Sequence, residues 1–475
     1  MIAAAFVAAA IVLGGGGSPS PAPELVLQLL AALAILAWIW LPPSPGERSP
    51  ARAGADPVVW AICGLVLALP LLQLVPLPPV LWTTAPGQES RVAALALVGR
   101  DDWWQPLTHS QPRTLAALLA MVPALFAFVA AASLDVRGRL WVIAAIAAMV
   151  LASAVLGAVQ LSLGPTSGAY FYISGHRMNL TGFQANRNAQ ADVLLIGAAA
   201  VTVLLLPSLA GRARAATPDP RPALVVLDPR TAGLLLAGLL ALLLSATVLT
   251  GSRAGIALIV PTLLAIWLML RHTGSAMGRG TGSARWARLA PLAAAVLFLA
   301  ALAALALRGG NTVLGRVAGR FAFDGDFRTE LWRDTLFAIG QNWPVGVGLG
   351  GFQPAMLAVE RLEVLDPSRP NRAHNDYLEF VLEGGLPAVL IGCAIVALIG
   401  ARAVRLWRHE YAYRDLLGLG VTIVLILAAH SLVDYPLRSM ALACVMGVGA
   451  GLLATAPCPP GERRSRPQPV ATEGD

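Results

Sequence analysis

His374, Asn375, Asp376 and Tyr377 stand together near the end of one long polar stretch, residues 308–383, and Glu379 and Glu383 follow closely. An imidazole near neutral pH can take a proton or hydrogen-bond a hydroxyl, and a carboxylate beside it can orient the ring. Asp376 and Glu379 are the candidate partners in reach along the chain. A His that merely caps a helix accounts for the same position without chemistry. The spacing predicts a helix starting at His374, with Tyr377, Leu378, Val381 and Leu382 turned toward apolar surroundings. A zinc-type site lacks a second His at helical spacing. A Ser-His-Asp hydrolase lacks the Gly-x-Ser-x-Gly elbow.

Arginines supply the second kind of chemistry. Arg316, Arg320, Arg328 and Arg333 lie in the same stretch. Guanidinium forks pair bidentately with phosphate oxygens, so a lipid diphosphate is the natural ligand class; a solvated basic face is the plainer alternative. Arg328 falls one turn before Trp332 in an expected amphipathic helix, 326–341, whose apolar stripe is Phe327, Leu331, Trp332, Leu336 and Ile339. Arg253 closes the turn Thr250-Gly251-Ser252-Arg253. A charge at membrane depth faces a polar cavity or snorkels to headgroups. The glycine-rich run 344–351 lacks the Lys-Ser/Thr of a phosphate-binding P-loop, which leaves close backbone packing as its role. Asp324 and Asp326 imitate a metal-holding pair but read as a turn.

Nearly everything else in the chain is there to hold these groups at a membrane. Of 475 residues, 57% are hydrophobic and only 13% charged, with a mean hydropathy of +0.70. Soluble domains carry roughly a quarter charged residues. Apolar runs predict twelve spans, at 1–14, 24–41, 57–80, 114–134, 139–162, 189–210, 231–250, 254–271, 289–307, 384–402, 415–433 and 438–455. Met1 to Leu13 lacks the basic region of a signal peptide and reads as a short first span. The expected organisation is helices 1–307, an outer loop 308–383, helices 384–455 and a tail 456–475. All 34 basic residues are Arg, and the net charge is +8. No Arg cluster sits on a soluble domain, which excludes nucleic acid as a partner. The four cysteines form no Cys-x-x-Cys pair, so no metal cluster or disulfide framework is expected.

Arg placement sets the orientation. With the N-terminus in the cytoplasm, inner loops and tail hold 19 Arg against 7 outside, once the long loop is discounted because long loops translocate regardless of charge. Four polar stretches then share the outer side: residues 175–188, with Arg177, Asn186 and Asn188; the Arg253 turn; the loop 308–383; and His430 to Asp434. One site can draw on all four.

Together these stretches resemble the O-antigen ligase and O-antigen polymerase family of bacterial membrane glycosyltransferases, over roughly residues 170–455. Arg177 to Asn188 is similar to its Arg…Gly-x-Phe…Asn-Pro-Asn segment, with Arg187 in place of the Pro. The Ser252-Arg253 turn is similar to its Ser-Arg turn. Arg328…Trp332, Pro344 to Phe352, His374 to Leu378 with Glu383 to Pro387, and His430 to Asp434 complete the pattern. The resemblance implies an all-α, polytopic transmembrane bundle of GT-C type in the bacterial inner membrane, with its site facing the periplasm. It implies transfer of a glycan from undecaprenyl diphosphate to an acceptor hydroxyl on lipid A–core, with no metal and no other cofactor. His374, Arg253 and Arg328 would be catalytic: the arginines neutralise the diphosphate and the His activates the acceptor. Arg177, Asn186, Asn188, Arg316, Arg320, Asp376, Tyr377, Glu379, His430 and Asp434 would bind substrate. A repeat-unit polymerase with a glycan acceptor, a protein O-glycosyltransferase and a polysaccharide transporter are the alternatives.

Overall fold

A computed structural model describes residues 1–17, 21–41, 56–172, 176–209, 223–275, 290, 292–297, 327–359, 371–409 and 414–455. Eight helices among them are long and apolar enough to cross a membrane. They are α2 (Pro21–Trp40), α3 (Pro57–Leu74), α6 (Gln111–Ser133), α7 (Val136–Leu163), α8 (Arg187–Leu209), α9 (Pro229–Leu249), α10 (Arg253–Ser275) and α13 (Asp376–His409). Three more of the expected spans form as shorter helices: α1 (Ile2–Leu13), α14 (Arg414–His430) and α15 (Met440–Ala454). The expected span 289–307 lies mostly outside the described residues. The chain is an all-α, multi-pass membrane protein.

Two of the short helices are short because protein surrounds them. In α1, Ala10 and Ile11 are wholly buried. Beyond its end, Gly14 leaves the helix, and its carbonyl accepts from the amide of Ala441 and the hydroxyl of Ser439 at the start of α15. The chain ends of α1 and α15 thus complete each other instead of extending as helix. α15 lies along α6 through small residues: a Cβ on Gly447 or Gly451 would strike the carbonyls of Ala124 or Phe128. Such small-residue spacing lets two helix backbones approach where water supplies no drive to pack them.

Helix α8 is the axis of the bundle. Of its span, 89% is buried, against 17–44% for the other seven. After Asp192 its sequence is apolar nearly all round, as a helix enclosed by others requires. It packs against α7, α9, α10 and α14. Side-chain caps fix where helices begin: Asp56 for α3, Asp135 for α7, Asp228 for α9 and Asn375 for α13.

The irregular chain of two separate segments packs together, His109 N donating to Val347 O at 2.9 Å. Between α3 and α6, a two-stranded antiparallel hairpin, β1 (Pro76–Leu77) with β2 (Gln105–Pro106), encloses the short helices α4 (Pro79–Trp82) and α5 (Glu89–Ala96). The guanidinium of Arg91 gathers it, donating to the carbonyls of Pro106 and Thr108 and to Gln105. The expected amphipathic helix appears as α11 (Phe327–Asn342), followed by α12 (Phe352–Val359).

The expected boundary between outer loop and span, at 383/384, falls inside α13. That helix starts at Asp376 and is interrupted at Gly385 (φ 57°, ψ −147°). The freed polar groups pair with the glycine-rich run. The Leu386 amide donates to the Pro344 carbonyl at 2.8 Å, Val347 N to Leu382 O at 3.0 Å and Gly348 N to Glu383 O at 2.9 Å. Gln73 of α3 bridges the same point, donating to Glu383 O at 2.9 Å and accepting from Leu349 N at 3.0 Å. Close backbone approach explains the glycines here: a Cβ on Gly346 would lie 2.7 Å from the Glu383 carbonyl oxygen.

Candidate active site

His374 sits just before α13 in the left-handed region (φ 49°), the one non-glycine residue there among those described. Left-handed backbone costs a Cβ-bearing residue roughly 1–2 kcal/mol, so neighbours must hold it. They do so on every side. Asn375 caps α13, its Oδ1 accepting from the amides of Tyr377 and Leu378 at 3.0 Å each, and its Nδ2 donates to the Leu432 carbonyl. The Asp376 amide donates to the carbonyl of Ser431. The Tyr435 ring meets the imidazole edge-to-face at 4.8 Å. Trp332, one turn after Arg328 on α11, donates its Nε1 to the carbonyl of Ala373 at 3.0 Å.

The carboxylate that orients His374 is Asp434, not Asp376 or Glu379. His374 Nδ1 lies 2.9 Å from Asp434 Oδ1. The other oxygen of Asp434 accepts from Asn186 Nδ2 at 3.2 Å and Asn188 Nδ2 at 2.6 Å. Asn186 works in both directions, because its Oδ1 also accepts the Asn188 amide and opens α8. Burial opposes the Asp434 charge, but the hydrogen bond from His374 and the nearby His430 outweigh it, and with Asn188 they hold its pKa down at about 2. Burial and the Asp434 charge push the Tyr435 hydroxyl up to about 12, so it stays protonated.

Asp376 and Glu379 are committed elsewhere. Asp376 accepts from the Ser431 hydroxyl at 2.9 Å and the Leu437 amide at 3.1 Å. Glu379 accepts from Arg372 at 3.0 Å and from the Ala373 amide at 2.9 Å. Arg438 reaches both, at 3.7 and 3.3 Å, and Glu383 at 2.8 Å. Burial works against the Arg438 charge, and the three carboxylates more than restore it, raising its pKa. Glu383 also receives the amide of Gly350 at 2.9 Å, which ties the cluster to the glycine-rich run. This network braces the N-terminal end of α13 behind His374.

The two candidate catalytic arginines approach from different helices. Arg328 is close enough to His430 to interact with it electrostatically. Arg253 is the exposed first residue of α10, whose end is capped by the Ser252 hydroxyl accepting the Gly255 amide at 3.0 Å. Gly255 packs directly on Ala191 of α8, the neighbour of Asp192 and three residues past Asn188. An arginine at a helix N-terminus beside the Asn188 turn suits an anion.

Three other expected site residues have partners of their own. Arg177 stacks over the Tyr170 ring at 5.4 Å and donates to the Tyr172 carbonyl at 3.4 Å. Tyr377 donates its hydroxyl to the Ala428 carbonyl at 2.8 Å. His430 is enclosed in the bundle, paired with Asp192 at 2.6 Å. Arg316 and Arg320, like Asp324 and Asp326, lie outside the described residues. Among the described residues, no group of three His, Cys, Asp or Glu side chains is placed to hold a metal ion. Asp192, Arg372, Tyr435 and Arg438 were missed in the sequence reading. Asp192 and Arg438 did carry a signal: each follows a singled-out residue, Asn188 or Asp434, by four residues.

Residues 238–393 match a family model described as O-Antigen ligase. The matched segment contains Arg253, Arg328, His374 and Glu383. Asn186, Asn188, Asp192, His430, Asp434 and Arg438 flank it. No curated protein matches the chain, and no solved structure does. The match supports assignment to the O-antigen ligase and polymerase family, and with it an O-antigen ligase- or polymerase-like function. The family implies a lipid-linked glycan donor and a glycan acceptor in the membrane.

Proposed function

Taking the O-antigen ligase domain at residues 238–393 as premise, we propose that the chain is a GT-C-type glycosyltransferase with its site on the periplasmic face of the inner membrane. It moves a glycan from undecaprenyl diphosphate to a hydroxyl of lipid A–core. The observation that carries this reading is the His374–Asp434 pair at 2.9 Å. Asp434 fixes the proton on Nδ1, so a neutral His374 presents its lone pair on Nε2. The acceptor hydroxyl attacks the anomeric carbon and passes its proton to Nε2. The bond from that carbon to the diphosphate oxygen breaks, and the leaving diphosphate takes the electron pair. Arg253 and Arg328 stabilise the charge that develops on it. Arg316 and Arg320 add positive potential that attracts the donor, and Arg177 and Tyr377 line the approach of the glycan. No metal enters the scheme.

The test is transfer by purified full-length protein, given undecaprenyl diphosphate-linked glycan and lipid A–core in detergent without nucleotide. Product formation unaffected by chelator supports the reading. Glycan joined only to a second carrier-linked unit would make the chain a polymerase. Vesicle transport without bond formation would make it a transporter.

A further inference from the structure

Two histidine–carboxylate pairs are stacked one helical turn apart. On α8, Asn188 and Asp192 are separated by four residues; at the end of α14, so are His430 and Asp434, with the Asp434 amide donating to the His430 carbonyl at 2.9 Å. The outer tier joins Asn188 to Asp434 and His374. The inner tier joins Asp192 Oδ1 to His430 Nδ1 at 2.6 Å, with side chains 0% and 1% exposed. Neither the chemistry proposed above nor helix packing requires ionisable groups there. An apolar pair would fill the same space at lower desolvation cost.

The charged groups facing His430 come from each neighbouring element. Asp192 comes from α8, Asp434 from the turn after α14, and Arg328 from α11. His374, ahead of α13, bears on Asp434. Beyond Ser431 lies the Asp376–Arg438 cluster. Arg253, at the start of α10, is exposed. Asp192 Oδ2 and His430 Nε2 are both buried without a hydrogen-bond partner among the described residues. A carboxylate so enclosed stays ionised only with a cation in contact, and His430 is the group in contact.

We propose that His430 is a positioning residue: a buried imidazolium, held by Asp192, that keeps Asp434 ionised and fixed on His374. This rests on the site proposed above but is testable without it. Removing the inner cation makes the outer pair easier to protonate, so the site fails at a higher pH than in the parent protein.

The experiment uses full-length protein with isotope-labelled histidine, in micelles, read by nitrogen NMR. The His430 signal is identified by its loss in His430→Gln. Near neutral pH, both its ring nitrogens should show imidazolium shifts. Asp192→Asn, which keeps the shape and one hydrogen bond, should abolish that signature while the protein elutes unchanged in size. A neutral imidazole at His430 in the unsubstituted protein overturns the proposal, whatever the variants do. The second reading is the pH profile of transfer from undecaprenyl diphosphate-linked glycan. Asp192→Asn should move the acid limb up by about one pH unit, and Asp192→Glu should restore it. A rate lowered equally at every pH would mean packing alone and would overturn the proposal. No transfer by the unsubstituted protein would defeat the functional reading instead, and the NMR result would still decide the charge on His430.

Discussion

Asp434 Oδ1 lies 2.9 Å from His374 Nδ1, across 60 residues of sequence, and both belong to turns at helix ends. Two groups acting as one unit lose activity non-additively. Loss of a general base costs about 10²–10⁴ in rate, so His374→Ala should reduce turnover by that much while carrier-lipid binding persists. Asp434→Asn should cost a similar factor, and the double variant little more than either. Additive losses in the cycle would show that the two act separately.

Asp434 also couples stability to pH. Its folded pKa, about 2, is below the ordinary unfolded value of about 3.9. Its contribution is therefore fully present above pH ~3.9 and is lost as pH falls through about 2. That contribution is on the order of 2 kcal/mol. Thermal unfolding of Asp434→Asn should show a deficit of this size at neutral pH, shrinking to nothing in strong acid. A pH-independent deficit would assign the loss to packing.

Arg438 answers three carboxylates at 2.8–3.7 Å. Arg438→Met leaves them with Arg372 alone, and breaking a buried pair typically costs about 3–5 kcal/mol. Yield of folded protein should collapse, and Arg438→Lys should recover it only in part, since one ammonium cannot span the same three acids. Normal folding of the Met variant would mean that the carboxylates protonate or find water instead.

Arg253→Lys and Arg328→Lys test the diphosphate contact. A point charge cannot reproduce bidentate pairing, so each should keep membrane insertion and lose most transfer. Full activity in both would remove fork geometry from the requirements.

Orientation is open to chemical labelling. Leu97, 89% exposed in the segment between α3 and α6, should accept an impermeant thiol reagent in intact spheroplasts as Leu97→Cys. The exposed Cys393 and the tail Cys458 must first be replaced. Labelling only after lysis would reverse the topology.

The membrane character and the amphipathic helix at 327–342 were legible because each is written in local pattern: apolar length and 3.6-residue periodicity. The partner of His374 was not. Asp376 and Glu379 are adjacent in sequence, but the cap at Asn375 turns them toward Arg438 and Ser431, and the left-handed backbone at His374 aims the ring the other way. Asp434 becomes its partner only when α14 ends beside α8, a tertiary fact. The ends of α1 and α15 fall within two residues of the expected ones. The helix beginning near His374 was expected, but its continuity with the following span was hidden because Gly385 and Pro387 read as a boundary.

The interruption at Gly385 has a mechanical meaning. A broken span usually marks a place where a helix swings. Here the broken ends are taken up by Pro344, Val347 and Gly348, and Gln73 clamps the same spot from α3. Tilting α13 before Gly385 against the rest of the helix would rupture three backbone hydrogen bonds together. The joint is a lock. Whatever movement admits a bulky glycan must be taken up elsewhere, and His374 keeps its aim while it happens.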